Sequence, residues 1–221
     1  MMQISIFDSP ESKIMTSEIN PKTLNDIAFL SKVKGLVFIP EYIIKEEHAL
    51  LWQSVNAENW LGDLKRRVQH YGYKYNYKAR FIDYSMKIGE LPEWVTPLAK
   101  KLYQEGHMPA MPDQLIVNEY NQGQGIASHV DCEPCFGDTI ISLSLGSTCV
   151  MDFINKETKE KVEVFLEPRS LVVLKDDARY LWTHGITGKK TDYFKGLKHE
   201  RATRISFTFR NVILNTRATK K

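Results

Sequence analysis

Cysteine is scarce in this chain. Its 221 residues hold three, Cys132, Cys135 and Cys149. That odd and small number cannot build a disulfide framework, so a reducing compartment, cytosol or nucleus, is expected. No run of about 18 apolar residues occurs, which removes any candidate membrane helix. The opening stretch MMQISIFDSPESK has no basic segment followed by an apolar core, so no secretory signal is read there. Neither GxGxxG nor a P-loop pattern is present, and a dinucleotide fold or nucleotide-phosphate loop is not supported. There is no internal repeat. A strong charge of one sign is missing too: the net charge is +3 and the pI about 8.6, which permits a polyanionic partner without demanding one. Cys132-x-x-Cys135 lacks the second Cys or His pair that structural zinc needs, and Pro134 inside it suits no redox helix. These cysteines read as free thiols in a loop and a strand.

What is present looks like one soluble globular domain, 43% hydrophobic and 26% charged. Residues 1–33 are polar, broken by Pro10 and Pro21, and are expected to form a loosely structured arm ahead of a domain over 34–221. GLVFIPEYI (35–43) reads as a first strand. In KEEHALLWQSVNAENW, Leu50, Leu51 and Val55 recur at helical spacing and acids crowd the first turn, which predicts an amphipathic helix on a sheet. PEWVTPLAKKLYQEG (92–106) predicts a second helix ending at Gly106. From residue 113 the chain turns to short β-branched and aromatic runs: QLIVNEY, TIISLSLG, TCVMDFI, KVEVFLE, SLVVLK and RISFTFRNVIL. This spacing points to a sandwich or barrel.

Three places could carry chemistry. In ASHVDC, His129 and Asp131 stand two apart on an extended segment and project to one side. His184, in RYLWTHGIT, is the remaining histidine with comparable strand context; His48, His70, His107 and His199 lie in helical or charged segments. Two histidines and one carboxylate match the facial triad of non-haem iron oxygenases, which leaves coordination positions open. In RISFTFR, Arg204, Ser206, Thr208 and Arg210 share one face of a strand. If that face points inward, two guanidinium groups enter a cavity and call for a dicarboxylate ligand; if outward, the row is solvated. Finally, residues 60–90 interleave Lys65, Arg66, Arg67, Lys74, Lys78 and Arg80 with Tyr71, Tyr73, Tyr75 and Tyr77. Either this is a half-buried hairpin with solvated charges, or cations and rings form a platform for phosphates and bases.

Four ordered blocks, NEYNQGQGIASHVD, ISLSLGSTCVMDF, RSLVVLKDDARYLWTHGI and RISFTFR, resemble the AlkB family of Fe(II)/2-oxoglutarate dioxygenases over residues 35–213. Within it, the wording is closest to the branch that hydroxylates a modified wobble uridine of tRNA. The resemblance implies a mostly β fold with flanking helices: a double-stranded β-helix (jelly roll) core, N-terminal helices and a nucleotide-recognition lid at about 60–90. It implies Fe(II), 2-oxoglutarate and O2 as cofactor and cosubstrates. His129, Asp131 and His184 would bind the metal. Arg204 would pair with the C5 carboxylate of 2-oxoglutarate and Arg210 would contact its C1 end. Asn118 and Tyr120 would hydrogen-bond the same molecule. Ser206, an asparagine in the bacterial founding member, would lie beside them. Arg66, Arg67, Tyr71, Tyr73 and Tyr75 would fall in the lid, and Glu133 near the target base.

The implied reaction decarboxylates 2-oxoglutarate to succinate and hydroxylates a substrate C–H. An N-methyl group would then leave as formaldehyde, whereas a side-chain methylene would keep its hydroxyl. The implied partner is nucleic acid: RNA, tRNA first, or single-stranded or alkylated DNA. Two alternatives stand beside this reading: a related dioxygenase acting on protein, and a non-catalytic jelly-roll binding module.

Overall fold

In the computed structural model, residues 30–62, 65–77 and 79–214 are described. Most of the expected N-terminal arm lies outside them. Its last residues do not behave as an arm: Leu30 and Val33 are buried against the domain core.

Two antiparallel sheets face one another. The larger has the order β1-β8-β5-β12-β3-β2 and the smaller β4-β9-β6-β7. The large sheet takes Leu36–Ile39 (β1), Val68–Tyr71 (β2), Gln114–Tyr120 (β3), Ile140–Gly146 (β5), Leu171–Leu174 (β8) and Arg204–Arg210 (β12). The small one takes Ile126–His129 (β4), Cys149–Asn155 (β6), Lys161–Leu166 (β7) and Trp182–Ile186 (β9). Thr191–Phe194 (β10) and Leu197–Glu200 (β11) form a separate two-stranded ribbon. Helices Lys45–Ala57 (α1) and Thr96–Gln104 (α2) join the large sheet, and a short helix, Asp176–Tyr180 (α3), precedes β9. This is the expected mostly β, jelly-roll architecture with flanking helices.

The alternation of side chains decides what each face of the large sheet meets. On β12, Ile205, Phe207 and Phe209 point to one side. With Leu115, Val117, Ile141, Leu143 and Leu145 they form a buried cluster that takes in Leu51 and Val55 of α1 and Leu98 and Leu102 of α2. Because the helices cover that side, the Arg204 row has only the space between the sheets to face. There the apolar lining comes from Ile140, Met151, Phe153, Val172, Leu174 and Ile186. The inward alternative for the arginine row is the one the fold adopts.

The helix ends follow local chemistry. Glu47 reaches back to accept from the Ile44 N–H at 2.9 Å, at the positive end of α1. Trp52 of α1 then packs on the end of β5, where Gly146 has φ +79°.

The spacing of Tyr71, Tyr73, Tyr75 and Tyr77 predicts one face of a strand, and Gly72 overturns that expectation. This glycine has φ +76°, and a Cβ there would lie 1.8 Å from the Asp113 carbonyl. The chain therefore leaves the sheet after Tyr71, and Tyr71, Tyr73, Tyr75 and Tyr77 do not share a strand face. A second correction concerns the cysteines. Cys132 and Cys135 are joined by a disulfide across a tight turn, with Cα atoms 5.3 Å apart, and only Cys149 is a free, buried thiol. The turn draws them together by bonding the Cys135 and Phe136 N–H groups to the Cys132 carbonyl, both at 3.1 Å. Among the described residues, no helix is long and apolar enough to cross a membrane.

At Gly146 an added Cβ would lie 2.5 Å from the Thr203 carbonyl and 2.7 Å from the Trp52 ring. Gly146→Ala combines left-handed strain with overpacking, and is expected to lower unfolding free energy by about 3 kcal/mol. Urea denaturation against wild type measures this.

Candidate active site

Strand register brings the first two expected ligands together. β4 pairs with β9 so that His129 lies opposite His184, and Asp131 follows in the loop after β4. The ligand atoms of His129, Asp131 and His184 lie within 4.8 Å of one another. His129 Nδ1 sits 2.8 Å from the Ala127 carbonyl; donation there leaves Nε2 with its lone pair towards the other two. Burial, helped by the neighbouring His184, pushes the His129 pKa down to about 4, so the ring is neutral at physiological pH. Burial alone would raise the Asp131 carboxyl. Arg210 and the two imidazoles outweigh it and hold the group well below the usual carboxylate range.

Arginines build the frame around this carboxylate. Arg210 donates through Nε and Nη2 to Asp131 Oδ1, at 2.8 and 2.5 Å. Oδ2 is left 3.3 Å from His184 Nε2. Arg179, 2% exposed, donates to three main-chain carbonyls of the same loop: Asp131 at 3.0 Å, Phe136 at 3.2 Å and Gly137 at 3.2 Å. Carried on α3 just before the His184 strand, it ties that strand to the Asp131 loop. The disulfide sulfurs of the loop rest 3.4 and 3.3 Å from the Arg80 carbonyl.

The space beside the triad is a cavity of about 330 Å³. Arg204, also 2% exposed, donates one Nη2 bond to Ser144 Oγ at 2.8 Å, while its Nε and Nη1 have no hydrogen-bond partner. A buried, half-satisfied guanidinium is costly unless an anion completes it. Tyr120 lies under it, 5.6 Å from ring centre to guanidinium. Ser206 Oγ is 2.9 Å from Ser142 Oγ. Asn118 Oδ1 accepts from Arg66 Nε at 2.8 Å, and Arg66 also sits over the Tyr120 ring at 5.7 Å.

The expected residues divide cleanly. His129, Asp131, His184, Asn118, Tyr120, Arg204, Ser206, Arg210, Arg66 and Tyr75 all line the one cavity, together with Tyr77 and Arg80. Arg210, expected at the C1 end of 2-oxoglutarate, is engaged with Asp131. Four others are not brought to the cavity. Arg67 forms a bidentate pair with Glu119 on the opposite face of β3, at 2.8 and 2.6 Å. Tyr71 packs on Trp94, with ring centres 5.7 Å apart, and bonds Gln69. Tyr73 is buried in the core, and Glu133 is exposed outside the cavity. Sequence reasoning missed Ser144, Arg179 and Gln114, whose Oε1 accepts from Arg210 Nη1 at 3.4 Å. Ser144 could have been found as an inward strand position; a lone arginine in DDARYLW carries no such signal.

The comparisons agree with this geometry. The 2OG-Fe(II) oxygenase superfamily matches residues 28–210. An Arabidopsis thaliana protein named "Alkylated DNA repair protein ALKBH8 homolog" is 33% identical, covering 96% of this chain and 67% of that one. This chain belongs to the AlkB family of 2OG-Fe(II) oxygenases. An uncharacterized mimivirus protein is 38% identical over 82% of this chain and 86% of its own. The mouse "tRNA (carboxymethyluridine(34)-5-O)-methyltransferase ALKBH8" is 42% identical over 80% of this chain, which spans only 30% of that protein. The solved structure of OsALKBH1 shares the fold, with a TM-score of 0.61, 16% identity and coverage of 80% of this chain and 98% of that one.

As an AlkB-family dioxygenase the protein uses Fe(II), 2-oxoglutarate and O2. Its side chains fit that set: two imidazoles and a carboxylate could hold the metal, and the unfilled donors of Arg204 could take a carboxylate. Arg179→Met would leave three carbonyls, two of them buried, without this donor. It is expected to cost about 3 kcal/mol or more of stability, with Arg179→Lys recovering part of it. Hydrogen exchange of the 131–137 amides, followed alongside denaturation, should show the loop opening first.

Proposed function

We propose that this AlkB-family dioxygenase oxidises an alkyl group on a nucleobase, with RNA, and tRNA first, as its substrate class. The observation that carries the reading is the lining of the cavity's outer part. Arg66, Arg80, Tyr75 and Tyr77 line the cavity that also holds the triad, and the two rings lie edge to face at 5.0 Å. Cations suit phosphates, and rings offer stacking worth about 1–3 kcal/mol per base. The names of the mouse and Arabidopsis relatives, one for tRNA and one for alkylated DNA, support a nucleic-acid substrate.

In this reading each chain residue has a task. His129, Asp131 and His184 would hold the metal, through two imidazole nitrogens and one carboxylate oxygen. Arg210 pins Oδ1 of Asp131, which leaves Oδ2 as the oxygen that would ligate the metal. Arg204, steadied by Ser144, would anchor the distal carboxylate of 2-oxoglutarate in the cavity, with Asn118, Tyr120 and Ser206 lining the same space. When bound, iron and 2-oxoglutarate supply an O2-derived oxidant for C–H hydroxylation, with succinate and CO2 as co-products. Tyr75 and Tyr77 close over a base that has left its stack; tRNA loops present such bases without the cost of opening a duplex. Phe136, Met151 and Ile186 keep the reacting region apolar.

The test is 2-oxoglutarate-to-succinate turnover with Fe(II) under air, with total tRNA or methylated single-stranded DNA added in turn. Wild type is expected to be stimulated by tRNA and His129→Ala to be inactive. Stimulation by methylated DNA alone moves the substrate to DNA, and none by either polymer overturns the nucleic-acid reading. Arg204→Met is expected to raise the KM for 2-oxoglutarate about a hundredfold, because it removes one side of a buried charge pair. Tyr75→Ala is expected to raise the KM for tRNA about tenfold while the KM for 2-oxoglutarate holds.

A further inference from the structure

The β10–β11 ribbon belongs to neither sheet, and nothing in the cavity uses it. The segment that holds it, TGKKTDYFKGLKHER, runs from Thr187 to Arg201. It carries Lys189, Lys190, Lys195, Lys198 and Arg201 against Asp192 and Glu200, an excess equal to the formal net charge of +3 of the entire chain. Its acids are already answered. Asp192 is fully buried, with Arg201 at 2.5 and 2.7 Å and Lys189 at 3.1 Å. Glu200 pairs with Lys198 at 3.0 Å. No carboxylate pairs with the exposed Lys190 among the described residues.

The ribbon is firmly seated. Phe194 stacks on Phe165 of β7 at 5.1 Å, His199 meets the same ring at 4.4 Å, and Asp192 accepts from the Val150 N–H of β6. These contacts use one face. On the other, Tyr193 stands directly across from Lys198 and is 67% exposed. The ribbon thus holds a largely exposed ring among lysines, where it contributes little to the core.

Its root adjoins the cavity. Gly188 packs against the Gly123 carbonyl, and the Lys190 side chain lies at the edge of Gly123. The Asn121–Gly125 turn leads into β4 and His129. On its other side Gln124 donates to the Lys65 carbonyl at 2.8 Å, next to Arg66. Lys65, Arg66, this turn and Lys190 thus form one basic margin. Lys190 is six residues from His184, a reach of at most about 20 Å.

We propose that the ribbon is a second nucleic-acid contact. Phosphates of the strand flanking the target nucleotide lie along Lys190, Lys195 and Lys198, and a flanking base stacks on Tyr193. The charge of the ribbon fits a polyanion, and its single exposed ring among lysines fits the phosphate-and-base pattern of an extended strand. The proposal rests on the nucleic-acid reading above.

The experiment compares full-length wild type with Lys190→Glu/Tyr193→Ala/Lys198→Glu, using tRNA and a modified trinucleotide as substrates. For tRNA the triple variant is expected to show a KM at least tenfold higher with kcat within twofold. The slope of log Kd against log salt should fall by about 1 to 2, as two phosphate contacts are lost. The trinucleotide, too short to reach the ribbon, should keep its KM. Tyr193→Ala alone, at an exposed position, should raise the tRNA KM about threefold without moving the melting temperature. If wild type responds to tRNA and both variants match it in KM and salt slope, the ribbon proposal is overturned and the reading of the cavity stands. If wild type neither binds nor responds to any nucleic acid, both fall together.

Discussion

The buried pair of Arg210 and Asp131 is the interaction on which the site depends. Each partner is untenable alone: a carboxylate or a guanidinium taken out of water costs several kcal/mol unless matched. Together they are satisfied, and the pairing has a direction. Two donors of Arg210, Nε and Nη2, converge on one oxygen, so the second oxygen is presented to His184. Arg179 holds the backbone beneath the same residue. A flexible loop position thereby becomes as fixed as a strand position.

The large sheet makes this affordable by keeping its two faces chemically separate. Ile205, Phe207 and Phe209 satisfy the helices, which frees the alternate residues of the same strand to be polar. Arg204, Ser206 and Arg210 can then gather with Asn118 and Tyr120 from β3 and Ser144 from β5 without breaking the core. Two arginines on one strand are both buried, and their fates differ. Arg210 finds its anion inside the chain; Arg204 keeps two donors for an anion from outside.

The parts of this arrangement that obey strand period were legible in the sequence. HxD on an extended segment, a histidine between strand signals and an arginine row at spacing two each needed only alternation to be placed. Whether the arginine row faced inward was not legible, because that depends on which side the helices cover. The residues expected in the lid divide for a local reason: Gly72 turns the chain out of the sheet, so Tyr75 reaches the cavity while Tyr71 and Tyr73 pack elsewhere. Arg66 and Arg67 are neighbours, yet one reaches Asn118 and the other Glu119, on opposite faces of β3. Arg179 was invisible because its partners are backbone carbonyls, which every sequence has. The link between Cys132 and Cys135 was missed because a tight turn, not the cysteine count, brings them together.

The pairing of His129 with His184 joins chain segments far apart in sequence, and Asp131 is framed by Arg210 from the last strand. No unfolded chain holds these groups together, so a metal or cosubstrate that binds them binds the folded form alone. Site occupancy and folding are therefore linked quantities. A ligand at a hundred times its dissociation constant adds about 2.7 kcal/mol to the stability of the domain. For this protein a melting temperature has meaning only at stated concentrations of iron and 2-oxoglutarate, and a cell that runs low on either would hold a less stable protein as well as a less active one.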